Sequence, residues 1–145
     1  MKILLDTSVL VASVVQKHGD HLRSFAVLDR VQNGKDEGFV SAHSLAEMYA
    51  VLTKIPPPSR HTAEQALLSI EENVLNYFRI SSLTGADYTA LIRERALAGI
   101  QGGTIYDAVL LKSAIKAGVE SIYTLNLKHF QAVAPKGLAA QIFTP

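Results

Sequence analysis

With 145 residues, 48% of them hydrophobic, the chain is long enough for one well-buried core and too short for two ordinary domains, so a single domain over 1–145 is expected. A net charge of +1 excludes nucleic-acid binding by overall field, which needs a strongly basic surface. The absence of cysteine excludes disulfides, thiolate zinc sites and a cysteine nucleophile, leaving oxygen or imidazole to hold any metal.

Met1-Lys2 leads into only three apolar residues before Asp6, too few for a signal peptide, and no run of eighteen apolar residues follows anywhere. A cytoplasmic protein without a membrane span is expected. Ile3-Leu5 reads as the first strand, Thr7 to about Val15 as a helix, and His21 to Asn33 as a second helix whose apolar positions recur at helical spacing. Gly34 stops it. Gly38-Val40 is a second strand, Ser41 its following N-cap, and Ala42 to about Lys54 a helix ended by Pro56-Pro57-Pro58. Thr62 with Gln65 opens a helix to about Val74, Tyr77-Ile80 is a strand, and Thr84 with Asp87 opens a helix to about Ala98. Glycines then lead into a helix from Thr104 to about Ala117, a strand Ser121–Tyr123, a short helix Leu127–Ala132 and a last strand Gln141–Phe143. Strands alternating with helices indicate an α/β class with a parallel sheet covered on both faces.

Three acids stand where such a fold would use them. Asp6 ends the buried run Ile3-Leu4-Leu5, at the carboxyl edge of a strand, where open α/β sheets bind ligands. Asp107 lies in the first turn of a helix entered through Gly102-Gly103, and Glu47 in the helix Ser44-Leu45-Ala46-Glu47. Each also has a structural use. Ser44 with Glu47 and Thr104 with Asp107 fit the capping box, and Asp6 would cap the helix that follows it. If the edges share one end of the sheet the carboxylates converge, and a cluster of acids without thiolates suits Mg²⁺ or Mn²⁺ better than zinc.

The segments Ile3-Leu4-Leu5-Asp6-Thr7-Ser8-Val9-Leu10, Ser44-Leu45-Ala46-Glu47, Ile105-Tyr106-Asp107-Ala108-Val109-Leu110-Leu111 with Ala114, and Tyr123-Thr124-Leu125-Asn126-Leu127-Lys128-His129-Phe130 span nearly the whole chain. In this order and at these separations the chain resembles the PIN-domain proteins, in particular the VapC-type ribonuclease toxins of toxin–antitoxin systems. The resemblance implies a three-layer α/β/α sandwich around a mostly parallel sheet of four to five strands, and a Mg²⁺-dependent endoribonuclease. It implies Asp6, Glu47 and Asp107 as the metal site, with Asn126 where many members carry a fourth acid; an amide there removes one negative charge from the cluster. It also implies an RNA substrate, a small antitoxin partner covering helices near the site, and a homodimer.

Such a site hydrolyses an RNA phosphodiester, the ion bridging carboxylates and phosphate and activating water. Asp6 and Asp107 are expected as principal ligands, with Glu47 holding waters or a second ion. Thr7, Ser8 and Thr104 would orient water or phosphate by hydroxyl contact, or else cap their helices. His18 and His21 read as surface or loop residues; His43, one turn before Glu47, reads as an exposed or packed side chain with the site's edge within its reach, and His129 neighbours the site with phosphate contact open to it. Three other classes compete: a phosphatase with Asp6 as nucleophile, which wants a second Asp where Ser8 stands; a binding module whose acids only cap helices; and, within the family, an RNA-processing nuclease that is not a toxin.

Overall fold

The strand Lys2–Leu5 (β1) is apolar on both faces, Ile3 and Leu5 pointing into one core and Leu4 into another, as a strand of a doubly covered parallel sheet must be. The computed structural model describes residues 1–145. It places β1 at the centre of a five-stranded sheet with Glu37–Ser41 (β2), Phe78–Ser81 (β3), Ser121–Tyr123 (β4) and Ile142–Phe143 (β5), in the order β3-β2-β1-β4-β5. All four pairings are parallel, with Ile3 opposite Gly38 on one side and Ser121 on the other.

Seven α-helices supply the outer layers: Thr7–Val14 (α1), His21–Gln32 (α2), Ala42–Leu52 (α3), Ala63–Ile70 (α4), Gly85–Leu97 (α5), Thr104–Ala117 (α6) and Leu127–Val133 (α7). On one face Ile3, Leu5 and Val40 pack with Leu10 of α1, Leu28 of α2, Met48 of α3 and Ile70 of α4. On the other, Leu4, Phe39, Ile122 and Ile142 pack with Leu110 and Leu111 of α6 and Phe130 of α7. Leu91 of α5 closes over Ala108 and Val109 of α6. This is the expected α/β/α sandwich, its sheet wholly parallel.

The capping boxes expected at Thr62/Gln65 and Thr84/Asp87 both form. Those considered for Ser44/Glu47 and Thr104/Asp107 do not. α3 starts earlier, with Ser41 as N-cap and Ser44 buried, and α6 starts with Gly103 as N-cap and Thr104 as its first helical residue. Ser41 itself turns inward to the Ser113 hydroxyl, 3.2 Å away, instead of capping. The helix expected to run to Val74 ends at Ile70 and continues as a π-helical turn, Glu71–Leu75. No helix is long and apolar enough to cross a membrane.

What this topology positions is a crevice. After β1 the chain builds β2 and β3 on one side, then returns to build β4 and β5 on the other. The strand order therefore reverses between β1 and β4, and their carboxyl ends, at Asp6 and Thr124, flank the switch point where ligands bind in such sheets.

Candidate active site

Asp6 leaves β1 with extended backbone and serves as N-cap of α1, its Oδ1 accepting the Thr7 N–H at 2.7 Å. Its other oxygen, Oδ2, accepts the Ser8 hydroxyl at 2.6 Å and the Thr124 hydroxyl at 2.9 Å. Each hydroxyl is itself anchored, Ser8 by the Leu125 N–H at 3.1 Å and Thr124 by the Asn126 N–H at 3.0 Å. One carboxylate thus starts a helix and ties the segment after β4 to it, at 7% exposure. The capping reading of Asp6 holds, with its second oxygen turned to the segment after β4.

Glu47 and Asp107 reach the same place from α3 and α6. They line, with Asp6, Thr7, Ser8, Asn126 and His18, a cleft of about 410 Å³ whose walls include Val11, Val51, Leu125 and Phe130. Burial raises the pKa of Glu47, and the charges of Asp6 and Asp107 push it further up; His43 and the Thr7 hydroxyl oppose. Burial likewise raises Asp107, as does Asp6, while His129 opposes. The acids therefore feel one another's charge across a partly dehydrated cleft. The imidazoles answer it: His43 Nε2 lies 2.7 Å from Glu47 Oε1, and His129 Nδ1 lies 3.1 Å from Asp107 Oδ2.

The carboxylates share the cleft without forming a ready-made chelate, since no three His, Asp or Glu side chains converge closely enough to ligate one ion directly. The donor set nonetheless fits a hard divalent cation held partly through water: three carboxylates, an amide and hydroxyls, all oxygen donors. Thr7 Oγ1 adds a specific sign. It is close enough to Glu47 to favour the ionised acid, yet makes no hydrogen bond of good geometry and is buried on the cleft wall without a partner. A buried hydroxyl in that state has a place for a water or ligand oxygen.

Not every candidate arrives. Thr104 turns away, its hydroxyl donating to the Gln101 carbonyl at 3.0 Å, and is not on the cleft wall. Asn126 is on the wall, at the start of α7, its side chain making no cap. Reading His43 as merely exposed or packed undervalues it, because it pairs with Glu47 and also stacks on Tyr106, with ring centroids 5.2 Å apart and planes 7° from parallel. His129 meets Asp107, and exposed His18 stands at the cleft's rim. Thr124 was invisible as a site residue, although Thr-Leu-Asn after β4 stands opposite Asp-Thr-Ser after β1. A larger cleft, of about 490 Å³, lies between the end of α1 and α4; it holds Lys17, Arg60, His61 and Glu72 but no group of carboxylates.

Residues 3–135 match the family model of the PIN domain. The chain is 33% identical over 117 residues to a protein of Mycobacterium tuberculosis named ribonuclease VapC40, covering 79% of this chain and 80% of that one. Among solved structures, the toxin VapC20 of M. tuberculosis, described as cleaving the sarcin–ricin loop, superposes with a TM-score of 0.69 at 16% identity, over 92% of this chain and 97% of that one. VapBC2 of Rickettsia felis, bound to a DNA fragment from its promoter, gives 0.63 at 21% identity over 91% and 92%. FitAcB of Neisseria gonorrhoeae gives 0.65 at 20% identity over 99% and 97%.

Proposed function

This chain belongs to the PIN domain family, and we propose that it is an endoribonuclease that hydrolyses RNA phosphodiester bonds in the acidic cleft, as the toxin of a pair restrained by a small antitoxin. The observation that carries the reading is that Asp6, Glu47 and Asp107, from three separate elements, face one cleft at the switch point and perturb one another's ionisation. The named activity of the M. tuberculosis relative supports the ribonuclease assignment. The complexes formed by the structural neighbours support an antitoxin partner. The chain acts in the cytoplasm, as a homodimer, and that state is checked by light scattering.

Asp6 and Asp107 would be the principal ligands of a divalent ion, Mg²⁺ or Mn²⁺, and Glu47 would hold waters beside it or a second ion. When bound, such an ion offsets phosphate charge and makes water a better nucleophile. The chain's own residues do the positioning. Ser8 and Thr124 hold Asp6 Oδ2 in place, so that the carboxylate presents one fixed orientation to the cleft. His43 and His129 balance Glu47 and Asp107. The Thr7 hydroxyl, without a partner, orients a water or a phosphate oxygen, and the Asn126 amide offers the same cleft a neutral donor and acceptor.

A phosphatase with Asp6 as nucleophile is disfavoured by Ser8, which stands where such a site wants a second Asp and instead donates to Asp6 Oδ2. The binding-module reading predicts indifference to metal. The test is cleavage of tRNA and rRNA fragments with Mg²⁺, Mn²⁺ or EDTA, beside Asp107→Asn. Cleavage requiring both metal and Asp107 is the expected result; wild-type rates in EDTA or in the variant would refute the site. Growth arrest on expression, relieved by a small protein encoded beside it, separates a toxin from a processing nuclease.

A further inference from the structure

Tyr106 is the third residue of α6 and immediately precedes Asp107. Its neighbours have obvious work: Ile105 packs against the cluster formed by Leu91, Ala108 and Val109. Tyr106 belongs to none of the three hydrophobic clusters and is 55% exposed. It is nevertheless held, because its ring lies nearly parallel on His43, and His43 is itself fixed by the bond to Glu47. The result is an aromatic ring braced on one face by α3, next in sequence to Asp107 and one contact away, through His43, from Glu47, two residues that line the cleft.

From this, resting on the ribonuclease reading above, the geometry points to Tyr106 as a nucleobase-stacking subsite that receives the base next to the scissile phosphate of a single-stranded RNA. Single-stranded RNA is recognised largely by splayed bases stacked on aromatic side chains, and a stack accepts any base because every base has a π-face. The chain's own net field contributes little to this work. The net charge is +1 and the cleft is acidic, so the chain has little field with which to draw in a phosphate backbone. Stacking supplies attraction that needs no positive charge. The His43 brace also removes ring mobility before the base arrives, which lowers the ordering cost of binding. The subsite thus couples substrate position to the site chemistry through His43, whose other contact is a candidate metal-site acid.

The test uses full-length protein carrying Asp107→Asn, with Mg²⁺ present, and short single-stranded RNAs bearing 2-aminopurine at one position at a time. Stacking on Tyr106 quenches the fluorophore at one position. Adding Tyr106→Ala is expected to abolish that quench and raise the Kd by about 5- to 150-fold, the range for losing one base–aromatic stack. Tyr106→Phe and Tyr106→Trp are expected to retain both, which a purely structural role for the hydroxyl would not allow. Circular dichroism of each variant keeps loss of fold apart from loss of the ring. Unchanged Kd and quench in Tyr106→Ala would overturn the subsite, and would be the outcome if the ring instead meets a protein partner. Metal-dependent cleavage by wild type alongside that result would leave the ribonuclease reading standing; no cleavage together with no RNA binding would remove both.

Discussion

Asp6→Asn tests the site and its architecture at once, because the two oxygens of Asp6 do different work. The amide oxygen of the variant can still accept the Thr7 N–H, and Asn is as good an N-cap as Asp. The amide nitrogen then stands where Oδ2 accepted the Ser8 and Thr124 hydroxyls at 2.6 and 2.9 Å, and it can only donate back to the hydroxyl oxygens, so both bonds reverse and become neutral while the hydroxyl hydrogens lose their acceptor. Hydrogen bonds to a charged group contribute about 1.5–3 kcal/mol and neutral ones about 0.5–1.5, so exchanging two charge-assisted bonds for neutral ones costs about 2–3 kcal/mol. Relief of repulsion on Glu47 and Asp107, both raised by Asp6, returns part of this. The net expectation is a loss of about 1–2 kcal/mol, or a Tm lower by about 2–8 °C for a chain of this size. Asp107→Asn has only the imidazole contact to lose and should melt within about 2 °C of wild type by the same conversion. The assay is thermal unfolding by circular dichroism in EDTA, with RNA cleavage in Mg²⁺ measured on the same preparations. Both variants should be inactive and only Asp6→Asn destabilised. An Asp6→Asn protein that melts at or above the wild-type temperature would refute the network argument, and one that cleaves at the wild-type rate would refute the metal site.

Divalent metal should stabilise the wild type: at a hundredfold excess over Kd the linkage contribution is about 2.7 kcal/mol, seen as a rise in Tm with Mg²⁺ or Mn²⁺ that Asp107→Asn abolishes. Glu47 and Asp107 have raised pKa values, so in metal-free protein their charged forms weaken the fold above the folded-state values, and the penalty disappears as pH falls below the ordinary carboxylate range. The metal-induced rise in Tm should shrink over that same interval, and a rise independent of pH would contradict binding by these acids. Asp87 behaves oppositely. Lys116 first, then the Thr84 N–H, hold its pKa at about 2, so its contribution is present above the ordinary aspartate value of 3.8 and is lost as pH falls toward 2. Urea titrations should show Asp87→Asn less stable than wild type at neutral pH, with the gap closing in that acid interval. At Gly38 a Cβ would lie 2.5 Å from Val31 Cγ1 and 2.7 Å from the Phe78 ring, and Gly38→Ala is expected to cost about 1–3 kcal/mol by overpacking; urea denaturation equal to wild type would show that the sheet and α2 yield.

Much of the fold was legible because its determinants are local. Thr62-Ala-Glu-Gln65 and Thr84-Gly-Ala-Asp87 specify helix starts by capping chemistry alone, and the apolar runs around Leu4 and Ile122 specify strands buried on both faces. The starts of α3 and α6 also fall where the sequence puts them, at Ala42 after Ser41 and at Thr104 after the glycines. The capping-box spacings at Ser44 and Thr104 mislead, because Ser44 is drawn into the core and Thr104 is already inside its helix. The π-helical turn at Glu71–Leu75 has no counterpart in period or composition, since its residues read equally well as α-helix.

The site divides along the same line. Asp6 and Asp107 could be named because each stands at an element boundary, and Glu47 through its place in Ser44-Leu45-Ala46-Glu47, but their meeting depends on how the sheet orders its strands, a fact of topology and not of any short segment. The partners of those acids could not be read at all. Thr124 binds Asp6 across 118 residues of sequence, and Tyr106 finds His43 only because α3 and α6 pass close to each other. These long-range contacts decide what the carboxylates can do. An acid that caps a helix and points at water is a structural residue; the same acid with Oδ2 fixed by two anchored hydroxyls, in a cleft with two carboxylates of raised pKa, has the fixed orientation that the proposed cation site requires. The charge in this cleft is held in place by bonds that fold the protein, so removing Asp6 should disturb both functions while removing Asp107 should disturb only one.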